Sequence, residues 1–561
     1  MTYKRADQTV TLRSLLAGGA ALLALTLPAS AQDVAPHTTS TTVSAMLGEP
    51  ADAALNQALE SRITAGDMDS DVTGEFSAGV ARGLRHAYAQ GNFAPIWSRD
   101  GALSLKAAAR NLRDHGIIAE DVFERDLDDL IDQRFSSSPD SRADADIALT
   151  LAALRAGRAL SAGFGDEGGM DTPSTTGAMR SNLTDYLKTC GQGGCEDALS
   201  ALAPTHPQYM GLQSALREYK ALKREGGWAR IPDGDLIEVG DTDPRVSALR
   251  TRLQAEGFEV PASATPDLYD AGLEAALKVF QKRHGLETDG VVGGNTLEAL
   301  NESVSSKIAR IADTLHRWRR HGDMGERYVL ANIPSFTAEG WNGGRREIRM
   351  KTVVGSPRHA TPTFSDEIEY IVANPKWFVP TSIARRQKLS KLQADASYAP
   401  ANNYQVIDKA SGEAVSSASV DWNAPDVLSR YRLVQGPGPN NALGQLKIIF
   451  PNQYAVYLHD TPTQHLFDEA KRAFSSGCVR LEDPEGMARW VASVDPDLTP
   501  EEVSAQLDSG ERDRLYLDRH VPVHITYHTV TVNDTGEPVF HRDVYDRLED
   551  VEMAEKLASL G

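Results

Sequence analysis

Three hydrophobic rhythms divide the 561-residue chain. From about residue 52 to 225, apolar positions recur three to four apart, as in 103–116 and 143–162, which predicts amphipathic helices. The Gly/Pro-containing stretch 163–175 interrupts them, and Trp97 reads as a core anchor. Between about 240 and 302 the spacing predicts three shorter helices. One carries Val246, Leu249 and Leu253 and closes at Gly257-Phe258; the next carries Leu273, Ala276, Leu277, Phe280 and Gln281 and stops at Gly285. The turn Asp289-Gly290-Val291-Val292-Gly293 leads into the third, from Asn295 to Leu300. From about 325 the period shifts to two, predicting strands at 327–333, 346–354, 367–373, 446–450, 454–459 and 521–532. The segment 376–435 between them looks irregular and partly helical. An insertion that long between strands is usually functional rather than a plain connection, so it reads as a lid or capping subdomain. Its basic cluster, Arg385, Arg386, Lys388 and Lys391, fits either a contact surface or a solvated helix face.

These patterns predict a multidomain α+β protein. A helical scaffold covers 51–236, a three-helix module 237–303 and a linker helix 304–324. A mainly-β domain covers 325–545, and 546–561 form a tail. Length agrees, since 561 residues exceed one ordinary core. A formal charge of −20 argues against non-specific nucleic-acid binding and against docking on anionic membranes.

The first residues change the compartment. Lys4, Arg5 and Arg13 precede the apolar run from Leu15 to Leu27, and Ala29-Ser30-Ala31 supplies small residues for cleavage. This reads as a signal peptide over 1–31 and an exported mature chain, with an uncleaved anchor as the alternative. The run is too short to span a bilayer comfortably, and no later segment approaches that length. Residues 32–50, rich in Thr, Ser and Ala, read as a flexible mature N-terminus.

Export gives the three cysteines different meanings. Cys190 and Cys195 flank Gly191-Gln192-Gly193-Gly194 and are expected to form a disulfide in an oxidising compartment. A metal site is the rival, but two cysteines without a nearby histidine make a poor zinc cage. Cys478 then stays unpaired, as a nucleophile or as a buried inert thiol. Its context favours chemistry. Ser475, Ser476 and Gly477 precede it, with backbone N–H groups free to face a developing oxyanion, and Arg480 follows. A thiol needs a base or cation to become a thiolate. In the expected strand 454–459, Ala455, Tyr457 and His459 share one face, which puts His459 at a cleft-facing end. His465, in Thr463-Gln464-His465-Leu466, is the competing base. Asp483-Pro484 then opens a helix.

Two resemblances follow from these residues. Leu249-x3-Leu253, Val279-Phe280-Gln281, Gly285-Leu286 and Asp289-Gly290-x2-Gly293-x2-Thr296 resemble the peptidoglycan-binding domain of bacterial cell-wall enzymes; a generic three-helix spacer is the alternative. His459-Asp460-Thr461-Pro462 and Ala473-Phe474-Ser475-Ser476-Gly477-Cys478-Val479-Arg480 resemble the L,D-transpeptidases with a YkuD-type catalytic domain, in the large periplasmic YcbB-like subgroup. So do Gly355-x5-Thr361-Pro362, Asn374-Pro375-x-Trp377-x-Val379-Pro380-x-Ser382-Ile383 and Gly438-Pro439-x-Asn441-Ala442-Leu443-Gly444. Many members of the family have His where this chain has Ser476.

The resemblance implies that Cys478 attacks the third residue of a tetrapeptide stem, forms a thioester and releases D-alanine, with His459 as base. The Gly477 and Cys478 N–H groups, near Ser476, would hold the oxyanion. Arg480 would orient the loop or bind a stem carboxylate, and Tyr457, Trp377, Asn441 and Ser475 are candidates for substrate contact. No metal or organic cofactor is implied. Expected partners are peptidoglycan stem peptides and glycan strands, with glycan polymerases and D,D-carboxypeptidases as candidate protein partners. The expected product is a 3-3 cross-link. Carboxypeptidase or endopeptidase action, and attachment of a protein to peptidoglycan, are the alternatives on the same fold. A non-catalytic wall-binding protein is disfavoured by the intact His459/Cys478 pair.

Overall fold

A computed structural model describes residues 52–65, 78–161 and 183–548. The expected signal peptide, the stretch 32–50, the interruption 163–175 and the tail from 549 onward lie outside them. No helix among the described residues is long and apolar enough to cross a membrane.

The N-terminal region is helical. The helix expected over 103–116 runs Arg99–Asn111, started by Ser98, whose side chain accepts from the Gly101 N–H, and continued by a 3-10 turn Leu112–His115. Its apolar face meets the helices Leu127–Ser136 and Pro139–Ser161 in one core. At the centre Arg134 Nε pairs with Asp146 at 2.7 Å, and Trp97 Nε1 donates to Thr150 at 2.9 Å. Cys190 is bonded to Cys195, and both are buried in this core.

The module downstream has helices Arg245–Ala255, Ala271–Arg283 and Gly294–Leu300 around Val246, Leu249, Leu273, Leu277 and Phe280. Gln281 explains the turn motif. Its amide nitrogen donates to Asp289 Oδ1 at 2.7 Å, and its amide oxygen accepts from the Gly290 N–H at 2.8 Å. One side chain therefore pins the turn to the second helix.

The expected linker helix is more than a linker. Val304–Arg320 buries Ile308, Ile311, Leu315 and Trp318 against Tyr209, Leu212, Leu216 and Tyr219 of the helix Pro207–Arg224. On another face Lys307, fully buried, pairs with Glu256 of the three-helix module and donates to His284 Nε2 at 2.7 Å. Tyr219 donates to the same carboxylate at 2.6 Å, and Arg252 pairs with it at 2.8 Å. The surrounding cations, Lys307 first among them, outweigh burial and hold Glu256 well below the usual carboxylate range. Removing one member of such a cluster strands buried charge. Glu256→Gln is therefore expected to cost about 3–5 kcal/mol, read as a lowered calorimetric Tm.

The C-terminal domain begins with β1 (Arg327–Asn332), β2 (Thr337–Asn342), β3 (Arg345–Gly355) and β4 (Phe364–Ala373). The insertion follows, with its own four-stranded sheet. Its strands are β5 (Trp377–Phe378), β6 (Tyr404–Asp408), β7 (Ala414–Val415) and β8 (Tyr431–Gln435), in the order β5-β8-β6-β7. The main sheet resumes with β9 (Leu446–Ile449), β10 (Leu458–His459), β11 (Ala473–Ser475), β12 (Val479–Leu481) and β13 (Asp513–Thr526). A hairpin of β14 (Val530–Val532) and β15 (Pro538–Phe540) packs back on the helices. The main sheet has the order β11-β3-β12-β10-β9-β4-β13-β1-β2, and β2 also pairs with β3, so it curls back on itself. Its core is built from alternate residues such as Val329, Ile371, Ile448, Leu458 and Val523.

The structure corrects two expected strands. Only Leu458–His459 of 454–459 is extended into the ladder, and Ala455 has φ +54°. Asn452 overrides the alternation: its side-chain oxygen accepts from the Tyr454 and Val456 N–H groups at 3.0 and 3.1 Å. Ala455, Tyr457 and His459 therefore do not share a strand face. The expected strand 521–532 is also two, the end of β13 and the whole of β14.

Candidate active site

Cys478 sits in the tight connection between β11 and β12. Gly477 has φ +121°, a conformation a side chain would strain. Ser475 is buried and ties the turn together, donating to the Cys478 carbonyl at 2.5 Å and accepting from the Gly477 N–H at 3.1 Å. The β3–β4 loop clasps the other side. Thr361 Oγ1 donates to the Gly477 carbonyl and accepts from the Gly355 N–H, both at 2.9 Å. Tyr545 donates to the Gly355 carbonyl at 2.7 Å and accepts from the Thr361 N–H at 3.1 Å. Gly355 is required there, since a Cβ would fall 2.1 Å from the His359 carbonyl oxygen. Thr361→Val is expected to unpair two buried backbone groups, at a cost of about 1–3 kcal/mol in thermal denaturation.

The thiol is half-buried, and its sulfur lies 3.8 Å from the Ala455 carbonyl oxygen. Burial pushes its pKa up. The N–H and hydroxyl of Tyr457, with the charges of Arg480 and Lys447, act in the opposite direction without cancelling it. Cys478 is therefore a thiol at neutral pH, and its chemistry requires a base.

His459 is placed for that task. β10 lies between β12 and β9, so His459 pairs with Arg480 on one side and Lys447 on the other. Its ring meets Tyr457 edge-on at 5.5 Å between centroids. Burial first, then the charges of Arg480 and Lys447, lower its pKa to about 3. Nδ1 contacts the Asp460 carbonyl oxygen at 2.5 Å. A neutral ring there must donate from Nδ1, which leaves Nε2 as a lone-pair acceptor. A free thiol, a neutral imidazole and a hydroxyl on the sulfur suit nucleophilic acyl transfer.

The comparisons bear on this arrangement. Residues 326–525 match the family YkuD, described as "L,D-transpeptidase catalytic domain". The chain carries a YkuD-type L,D-transpeptidase catalytic domain. Residues 242–300 match a "Putative peptidoglycan binding domain" and residues 82–216 a "Scaffold domain". A Haemophilus influenzae protein named "Putative L,D-transpeptidase" is 31% identical over 227 residues, covering 40% of this chain and 46% of that protein. The Mycobacterium tuberculosis "N-acetylmuramoyl-L-alanine amidase CwlM" is 34% identical over 82 residues, covering 13% of this chain and 20% of that protein. The chain thus spans less than half the length of these relatives. An L,D-transpeptidase structure from Mycobacterium smegmatis shares 14% identity, covering 36% of this chain and 58% of that one, with a TM-score of 0.15.

Within the L,D-transpeptidase domain, several expected site residues turn out to have other work. The Gly477 N–H is already bound to Ser475, so of the two expected oxyanion donors it is not free. Trp377 is buried in the core of the insertion rather than on a substrate wall, with Lys388 Nζ 5.8 Å from its ring centre. Asn441, 1% exposed, donates to the Pro375 and Gly436 carbonyls at 2.9 and 2.8 Å and so braces a loop. Ser476 is exposed beside the thiol, and His465 is exposed on the 3-10 turn Gln464–Phe467. Arg480 Nη1 donates to Thr463 at 3.0 Å, while its buried Nε has no partner. The basic cluster of the insertion is partly engaged: Arg386 contacts His359 Nε2, and Lys391 Nζ lies 5.3 Å from the Tyr398 ring centre. Sequence reasoning missed Lys447, Thr361 as a brace, and Tyr545. Lys447 had a signal, as the one charged residue in the apolar strand Leu446-Lys447-Ile448-Ile449.

Proposed function

We propose that this protein is an exported L,D-transpeptidase that joins peptidoglycan stems through a thioester on Cys478. The observation that carries the reading is the free Cys478 thiol immediately before β12, whose ladder partner β10 carries the neutral, doubly flanked His459, within the matched catalytic domain. The Cys478 sulfur would attack the carbonyl of the third residue of a tetrapeptide as His459 Nε2 takes the thiol proton. The Cys478 N–H and the Tyr457 hydroxyl are the donors left for the oxyanion. Collapse breaks the C–N bond, and the proton on His459 goes to the departing D-alanine amine. The side-chain amine of a second stem then loses a proton to His459, attacks the thioester and returns the thiolate, giving a 3-3 cross-link.

The segment matching a peptidoglycan-binding domain supports a wall substrate, and the N-terminal signal pattern supports a periplasmic address. The insertion 376–435 serves as the cap over the stem, since Tyr457 packs against its core. Incubation with disaccharide tetrapeptide, read by mass spectrometry, tests the reading. A cross-linked dimer is expected; tripeptide alone would make the enzyme a carboxypeptidase, and unchanged substrate would defeat the proposal.

A further inference from the structure

Lys447 transfers no proton and contacts no substrate atom in the reaction above, yet its position is unusual. It lies on β9, a central strand, between Val372 of β4 and His459 of β10 in register. Its ammonium is 5.1 Å from the Tyr457 ring centre, on the tyrosine whose hydroxyl touches the nucleophile. Arg480 flanks His459 from the other side. Two cations thus bracket the base in a half-buried cleft.

Neither has a carboxylate partner among the described residues. The titratable groups that act on Lys447 are Arg512, Arg514 and the Cys478 thiol, and Cys478 alone acts on Arg480, so neither faces an acid. Asp460, the acid nearest in sequence to His459, is turned into its own loop. Its oxygens accept from the Gln445 N–H at 2.7 Å and the Thr461 N–H at 2.6 Å. Half-buried cations are normally paired, because desolvating one without an anion is costly. Lys307 on Glu256 and Arg134 on Asp146 follow that rule, and the buried Arg319 is met instead by the His115 carbonyl and the Tyr209 hydroxyl. Beside the thiol, Lys447 has neither an acid nor a backbone carbonyl among the described residues.

We propose that Lys447, with Arg480, is the seat for a carboxylate of the donor substrate, namely the free C-terminal carboxylate of the residue that leaves. This rests on the acyl-transfer reading of Cys478 and deepens it. In a donor cut at its last peptide bond, the leaving residue carries its carboxylate two bonds from the departing nitrogen. A seat beside His459 therefore holds the leaving amine near the group that must protonate it. Such a seat also selects donors that end one residue after the scissile bond, since a longer stem has an amide there. The bound anion further cancels part of the positive field on His459, making it a better base only when a donor is present.

The test compares a tetrapeptide donor with its C-terminal amide, reading thioester formation by intact mass in single turnover. Wild type is expected to acylate from the acid at least about 10-fold faster. Lys447→Met should slow the acid donor by about 10- to 100-fold, the loss of a charge-assisted contact, and collapse the acid-over-amide preference. Lys447→Arg should keep the preference. Equal acylation of wild type by both donors would overturn the proposal, and so would Lys447→Met slowing both alike. Binding of N-acetyl-D-alanine against its amide to wild type, followed by NMR, separates this claim from the reaction itself. The acid should bind measurably tighter even if no thioester forms, and equal binding would sink the seat while leaving the acyl-transfer reading standing.

Discussion

Cys478→Ala is expected to fold normally and to lose D-alanine release from a tetrapeptide by at least about 10⁴-fold. The sulfur is half-buried and meets only weak partners, the Ala455 carbonyl at 3.8 Å and the N–H and hydroxyl of Tyr457, so truncation should cost no more than about 1 kcal/mol of stability. Activity should vanish because Ser476, the nearest hydroxyl in sequence, is exposed, whereas the thiol directly precedes β12, the strand paired with the one that carries the neutral His459. The same variant should form no adduct with a carbapenem. A mass-shifted adduct on Cys478→Ala would show that some other group is the nucleophile.

Acid should unfold the described core well above the range of ordinary carboxylate titration. His284, His321, His528 and His541 are held neutral, chiefly by burial; His321 and His541 are pushed down to about 3, and the other two well below the ordinary value. His321 Nε2 lies 3.1 Å from His528 Nε2, so one proton serves both rings and a second would meet a positive neighbour. In the unfolded chain each histidine gains a proton as pH falls below about 6.5, while in the folded chain it does not. The unfolded state then binds more protons, so stability is intact above about pH 6.5 and falls below it. At pH 5 His321 and His541 each cost about 2 kcal/mol, and His284 and His528 act in the same direction, so the total is a large part of the stability of a domain. Trp318 stacks on His528 at 4.7 Å between ring centroids and reports the event. Its fluorescence should change cooperatively between about pH 6 and 4.5. A native spectrum at pH 4 would contradict the account.

The helices were legible because apolar spacing and caps point the same way; Leu105, Ala108 and Leu112 are all buried where the period puts them. The nucleophile turn was legible because Ser475, Gly477 and Cys478 are adjacent, and the turn's bonds are local. Alternation misled at 454–459, where Asn452 takes up the backbone donors that a strand would have left for its neighbours. β2 escaped notice because Glu339 and Gly340 break its β-branched character. Trp377 and Asn441 lie in segments that resemble the family's motifs, yet motif membership does not distinguish a side chain that faces substrate from one that braces a loop. The flanking of His459 by Lys447 and Arg480 comes from strands twelve and twenty-one residues away, and only the sheet register brings them together.

The central claim is that Cys478 carries an acyl group between two stems. Its most direct test is the intact mass of the wild-type protein after brief exposure to disaccharide tetrapeptide, followed by peptide mapping. The account predicts a thioester equal to the donor minus D-alanine, located on Cys478 and discharged by a second stem. An unmodified protein that still converts the donor, or an acyl group on any other residue, would contradict it.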